Sequence, residues 1–219
     1  MAGAQCAHKH MNARAATPVV GLVDYRAGNI QSIENAFASL GADVIRIQDG
    51  DALADCSHLV LPGVGAFGFC ADRFRASGLL AQVHRWVFAE QRPLLGICVG
   101  MQLLGDYSEE SPRAEGLGWV GGEIRRLVAQ PGIRVPHVGW NNVEFQYAYG
   151  SFRAGDHADF YFDHSFAYHN PKLGRTLGYC SHGARFSAIV QRDNVTAVQF
   201  HPEKSQACGL RLLESFLTQ

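Results

Sequence analysis

A chain of 219 residues, 47% of them hydrophobic and with a formal net charge of −1, can bury a substantial core and suits one compact α/β domain. The near-neutral balance and the lack of a long basic run argue against non-specific nucleic-acid binding, and no apolar stretch approaches membrane-spanning length. The six cysteines include no Cys-x-x-Cys pair, so neither a zinc site nor a disulfide framework is suggested, and a reduced, cytoplasmic setting fits.

Residues 1–17 are small, polar and aperiodic, with Cys6, His8 and His10 among them. They lack the apolar core of a secretory signal. Basic residues without acidic ones faintly resemble a transit peptide, but the stretch reads as a disordered extension ahead of a domain over residues 18–219. From Val19 to Tyr25 runs an apolar strand, and Ile30, Ile33, Phe37 and Leu40 then recur at helical spacing, with Gly41 as the stop. Residues 43–47 alternate like a strand, and His58 to Leu61 is a third. A helical region holding Phe74, Leu79, Val83, Trp86 and Val87 leads to a fourth strand before Cys98. This alternation predicts a mostly parallel sheet flanked by helices. From about Leu117 the pattern becomes short strands over residues 118–127, 134–145, 159–169 and 177–190, with a hairpin turn at Asp193-Asn194. A last helix over residues 206–217 carries Leu210, Leu213 and Phe216 on one side.

The chemistry concentrates at Gly96-Ile97-Cys98-Val99-Gly100. A cysteine between two glycines, where an apolar strand gives way to a helical pattern, is the thiol counterpart of the Gly-x-Ser-x-Gly nucleophile elbow. The glycines let strand and helix approach closely, and the following helix start favours thiolate. A base is at hand in Gln199-Phe200-His201-Pro202-Glu203, at the end of another apolar strand. Alternate side chains of extended backbone share a face, so Glu203 can orient His201. Cysteine, imidazole and carboxylate make a nucleophilic triad. In open α/β sheets such sites form at the carboxyl ends of strands. The turn Leu61-Pro62-Gly63-Val64-Gly65-Ala66-Phe67 should therefore lie close by, with backbone N–H groups able to face an oxyanion.

With these motifs the chain resembles the class I (triad-type) glutamine amidotransferases, and among them the glutaminase subunits of imidazole glycerol phosphate synthase. Further matching blocks are Asp24 to Asn29, Glu115 to Gly118, Val135 to Asn141, Tyr161 to Phe166, and Lys204-Ser205 after the His-Pro-Glu motif. The resemblance implies a flavodoxin-like fold with additional antiparallel strands in the C-terminal half. It implies attack of Cys98 on the side-chain amide of L-glutamine, with His201 and Glu203 completing the triad and oxyanion donors from the backbone of Val64, Gly65 and Val99. Gln102, Glu110, Ser165 and Phe166 would hold glutamine. Ammonia would pass to a (β/α)₈-barrel cyclase subunit in histidine biosynthesis, with Asn29, Trp140 and Lys204 at the interface and no metal or organic cofactor. The chain departs from the usual pattern at Arg26 and Ala27, where glycine and a small or apolar residue are commoner, and at Asp163, which would bring a charge near the glutamine pocket. The rivals are an amidotransferase subunit for anthranilate, purine or pyrimidine synthesis, and a regulatory subunit that keeps the fold without the chemistry.

Overall fold

Parallel strand pairing organises the part of the chain that carries the cysteine elbow. The computed structural model describes residues 17–219 except Arg113, so the expected N-terminal extension, with Cys6, His8 and His10, lies outside the described residues apart from Thr17. Strand β1 (Val19–Val23) lies between β2 (Asp43–Ile47) and β3 (His58–Leu61). β3 pairs with β4 (Leu94–Ile97), and β4 with β12 (Val195–Val198), all in parallel. This β2-β1-β3-β4-β12 order has the topological switch point of doubly wound sheets between β1 and β3. Helix α1 (Ile30–Ser39) follows β1, while α2 (Phe67–Ala76) and α3 (Leu80–Phe88) join β3 to β4. The five-residue α4 (Val99–Leu103) springs directly from the end of β4.

Beyond α4 the strands that extend the sheet pair antiparallel, except for one short parallel pair. In that pair a two-residue strand β5 (Tyr107–Ser108), which the sequence pattern does not reveal, lies beside β6 (Glu123–Arg126). Strands β7 (His137–Phe145) and β8 (His157–His164) form one pair, and β9 (Phe166–His169) joins β6 to the main sheet. β10 (Arg175–His182) and β11 (Ala184–Arg192) bring the chain back to β12, and α5 (Gln206–Leu217) closes it. No helix among the described residues is long and apolar enough to cross a membrane.

The expected elements shift where the backbone must turn. α1 buries Ile30, Ile33 and Phe37 and ends as predicted. Gly41 takes φ +80, its N–H bonds to the Ala38 carbonyl, and the Ala42 N–H bonds to that of Phe37. Residues 159–169 are two strands parted at Ser165, where pairing passes from β7 to β6 and the Ser165 carbonyl accepts from Leu127 N–H. Residues 177–190 fall in a hairpin folded at Gly183, which takes φ +76. The stretch 118–127 is extended only over β6, because Gly118, Gly121 and Gly122 all adopt left-handed conformations. Leu213 and Phe216 are buried on α5, whereas Leu210 is only partly covered.

Gly100 shows how tightly the elbow packs. A Cβ there would sit 1.9 Å from the Leu61 carbonyl oxygen, a contact that only movement of β3 or α4 could relieve. Gly100→Ala should therefore destabilise the protein by roughly 2–3 kcal/mol, read as a lower midpoint in urea unfolding.

Candidate active site

The parallel register of β4 and β12 pairs Ile97 with Val198, so Cys98 and Gln199 are the next residues of adjacent strands. Cys98 N–H bonds to the Val198 carbonyl at 2.8 Å and locks that geometry. Cys98 takes φ +54 and ψ −112, a positive-φ conformation outside the left-handed helical region that costs a residue with a Cβ about 1–3 kcal/mol. The strain turns the side chain out of the strand direction at the head of α4. The Val99 N–H, first in that helix, has no intrahelical acceptor.

His201 follows β12 and is held through its backbone, its N–H to the Tyr161 carbonyl and its own carbonyl accepting from Ser205 Oγ. Its Nδ1 lies 2.8 Å from Glu203 Oε1, and only 1% of the Glu203 side chain is exposed. Glu203 Oε2 is buried without a hydrogen-bond partner, so the carboxylate is committed to the ring. Burial opposes protonation of His201. The Cys98 sulfur and the Glu203 carboxylate outweigh it and push the imidazole up to about 10. The three residues expected to form a triad are thus brought together.

The Pro62–Gly65 loop crosses directly over the elbow. A Cβ on Gly63 would meet Gly100 N at 2.6 Å and Val99 Cβ at 2.9 Å. Tyr25 Oη donates to the Pro62 carbonyl at 2.5 Å, tying the loop to the end of β1. Val64 and Gly65 are exposed, with Gly65 at φ +105. Glu110, expected at the substrate, accepts the Phe67 N–H with one oxygen at 2.7 Å at the start of α2, while Ser111 Oγ accepts from Gly68. One Glu110 oxygen is therefore spent on anchoring the loop that carries the expected oxyanion donors.

Gln102 is buried one helical turn beyond Cys98. Its Nε2 donates both to the Phe166 carbonyl, at 3.0 Å, and to Gln199 Oε1, at 3.1 Å. Only its Oε1 is left for a ligand. Phe166 is thereby joined to Gln102, and Ser165 sits at the strand break beside it. Gln199 escaped sequence reasoning. The signal was present, because alternation puts it two residues before His201 on the same face. Asp163, expected near the glutamine pocket, has an exposed side chain, opposite in facing to the buried His164.

Among the expected interface residues, Trp140 is half exposed and meets Tyr161 edge-on at 6.2 Å, and Lys204 Nζ stands 5.6 Å from the same ring. Tyr161 joins them, a role the sequence did not suggest. Asn29 opens α1, which packs on the Pro202–Lys204 turn. Arg26, in place of the more usual glycine, takes φ +63 in an exposed turn, its N–H bonded to Asp24 Oδ1.

A strained cysteine elbow, a carboxylate-bound histidine and a glycine loop at the carboxyl ends of parallel strands place this chain in a known class. Residues 21–219 match the family "Glutamine amidotransferase class-I", and the chain belongs to that family. A solved glutamine amidotransferase shares the fold, with a TM-score of 0.74 and 20% identity over 91% of this chain and 97% of its own. More specifically, the chain is 39% identical to imidazole glycerol phosphate synthase subunit HisH of Ruegeria pomeroyi, over 91% of this chain and 98% of that one. It is likewise 39% identical to the HisH subunit of Zymomonas mobilis, over 92% and 96%.

Two outcomes check the electrostatics. Because the folded-state value of His201 lies above the ordinary ~6.5, its protonation stabilises the fold fully below that value. The contribution fades as pH rises toward about 10. Glu203→Gln removes one of the groups that raise it, so the ring's midpoint followed by NMR should fall by ~1–3 units, flattening the loss of stability over that interval. Burial pushes the thiols of Cys56 and Cys70 up to about 11 and that of Cys180 up to about 12. Iodoacetamide at pH 7.5 should therefore label Cys98 before these three, as read by peptide mass spectrometry.

Proposed function

We propose that Cys98, His201 and Glu203 carry out glutamine hydrolysis and that the ammonia passes to a cyclase partner subunit for imidazole glycerol phosphate formation in histidine biosynthesis. The observation that carries this reading is the strained Cys98 beside the buried His201–Glu203 pair. The Cys98 sulfur attacks the side-chain carboxamide carbon of L-glutamine. The tetrahedral oxyanion is met by the N–H of Val99 and by N–H groups of Val64 and Gly65. His201 gives its proton to the departing ammonia, leaving a thioester, and then takes a proton from the water that releases glutamate. Glu203 keeps the ring oriented and supports its positive charge.

The glutamine site lies between Gln102, whose free Oε1 suits an N–H donor of the substrate, and the Ser165-Phe166 segment, with the second Glu110 oxygen available to its α-amino group. For the partner, the exposed Val138 and Trp140 of β7 and the Trp140–Tyr161–Lys204 cluster offer an apolar patch with a cation at its rim, a composition suited to a protein interface. The HisH names of its relatives imply a partner subunit, and a (β/α)₈-barrel cyclase is the partner we propose. A cytoplasmic location would keep Cys98 reduced. A regulatory subunit without chemistry fits poorly, since all three catalytic groups stand within one buried cluster.

Mixing the full chain with a histidine-pathway cyclase and its nucleotide ligand should stimulate glutamate release. Lack of stimulation would overturn the partner assignment. Cys98→Ala and His201→Ala should each lower release by ~10³-fold or more, and a variant that still turned over at the parent rate would refute the triad. Trp140→Ala should weaken the complex by about 2 kcal/mol, measured by titration calorimetry.

A further inference from the structure

Gln199 is fully buried, and its Nε2 lies 3.8 Å from Cys98 Sγ. An amide can present either end to a sulfur, and the surroundings decide which. The Phe166 carbonyl can only accept, so Gln102 must turn its NH₂ group toward it. The second hydrogen of the same NH₂ then faces Gln199, which must offer its oxygen. That leaves the Gln199 NH₂ pointing at Cys98.

The Phe166 carbonyl is itself fixed from behind. His164 Nδ1 lies 2.8 Å from it and must donate, so in the neutral ring Nε2 accepts. His137 Nδ1 lies 2.9 Å from that Nε2 and must donate in turn. The remaining His137 nitrogen accepts from Asn141 Nδ2 at 3.0 Å, whose other hydrogen goes to the Ser181 carbonyl. Both histidines are buried, and burial holds His137 down to about 3 and His164 down to about 4. Both rings therefore stay neutral at physiological pH and keep this single polarity.

We propose that Gln199 is a further catalytic residue, whose amide N–H stabilises the Cys98 thiolate, and that Gln102, Phe166, His164, His137 and Asn141 are positioning residues that fix its direction. The inference rests on reading Cys98 as the nucleophile. The other titratable groups facing Cys98 are His201, backed by Glu203, Tyr25 at the end of β1, and Cys70 on α2. None of them belongs to this chain of amides and imidazoles. A hydrogen bond to a thiolate is charge-assisted, so its loss should be felt most in the ionised state.

The test is the rate of Cys98 alkylation by iodoacetamide in the full chain, followed by peptide mass spectrometry from pH 6 to 9. Gln199→Met keeps the volume and removes the donor, and should slow alkylation about tenfold at neutral pH. Gln199→Glu keeps an acceptor for Gln102 but sets a carboxylate beside the sulfur, and should slow it further. Parent rates and an unchanged pH profile in both folded variants would overturn the proposal. If the Gln199 variants do not fold, His164 decides. His164→Leu deletes the donor to the Phe166 carbonyl and should slow alkylation, while His164→Asn, with an N–H near the position of Nδ1, should restore part of the rate. Equal rates in those two would overturn it as well. Alkylation does not depend on turnover, so a failure of the nucleophile assignment appears separately, as glutamate release surviving Cys98→Ala.

Discussion

The site depends on one strand pairing, that of β4 with β12. These strands are remote in the chain, yet their parallel register places Ile97 opposite Val198. The residues that follow, Cys98 on one strand and Gln199 and His201 on the other, must then emerge together at the carboxyl edge of the sheet. A slip of one residue would turn Gln199 and His201 to the opposite face. The backbone bond from Cys98 N–H to the Val198 carbonyl extends the ladder one step past the strands and makes such a slip costly.

Around that pairing, close backbone contact replaces side chains. Gly63 and Gly100 bring β3, α4 and the loop over the elbow closer than a Cβ would permit, and Gly96 leaves little room for one. This rigidity holds Cys98 at φ +54 against a local cost of about 1–3 kcal/mol, because the surrounding ladder and helix leave it no lower-energy alternative. The same packing excludes water from the His201–Glu203 pair. Desolvation alone would neutralise the ring, but the carboxylate and the sulfur on either side reverse the outcome. The nearby His137 and His164 have no carboxylate partner, and burial prevails there. Opposite charge states of similarly buried histidines thus follow from what lies within hydrogen-bond reach.

Much of this was legible in the residues. Apolar runs, helical spacing and the glycine stop at Gly41 located the parallel half of the sheet, since each is a local pattern with a local cause. The His-x-Glu spacing placed Glu203 against His201 for the same reason. The antiparallel half was less legible. The folds at Ser165 and Gly183 carry no strong turn signature, so the strand patterns ran through them. Glu110 was expected near glutamine through the family resemblance alone, and nothing in the spacing said that it would also hold the glycine loop. Its bond to the Phe67 N–H depends on where α2 begins in space, which no spacing along the chain reports.

What the sequence determined by itself was the inventory of reactive groups and their local backbone setting: a thiol in a glycine elbow, a histidine oriented by a carboxylate two residues on, and a loop with N–H groups to offer. These follow from short-range sterics and strand alternation, which act within a few residues. Only the tertiary structure decided which way the buried amides face, that Gln199 reaches the sulfur, and that Tyr161 links Trp140 to Lys204. A hydrogen-bond direction is set by the neighbour that can only donate or only accept, and here those neighbours are the Phe166 and Ser181 carbonyls. They come from strands distant in sequence, so their effect on Cys98 exists only once the sheet has closed.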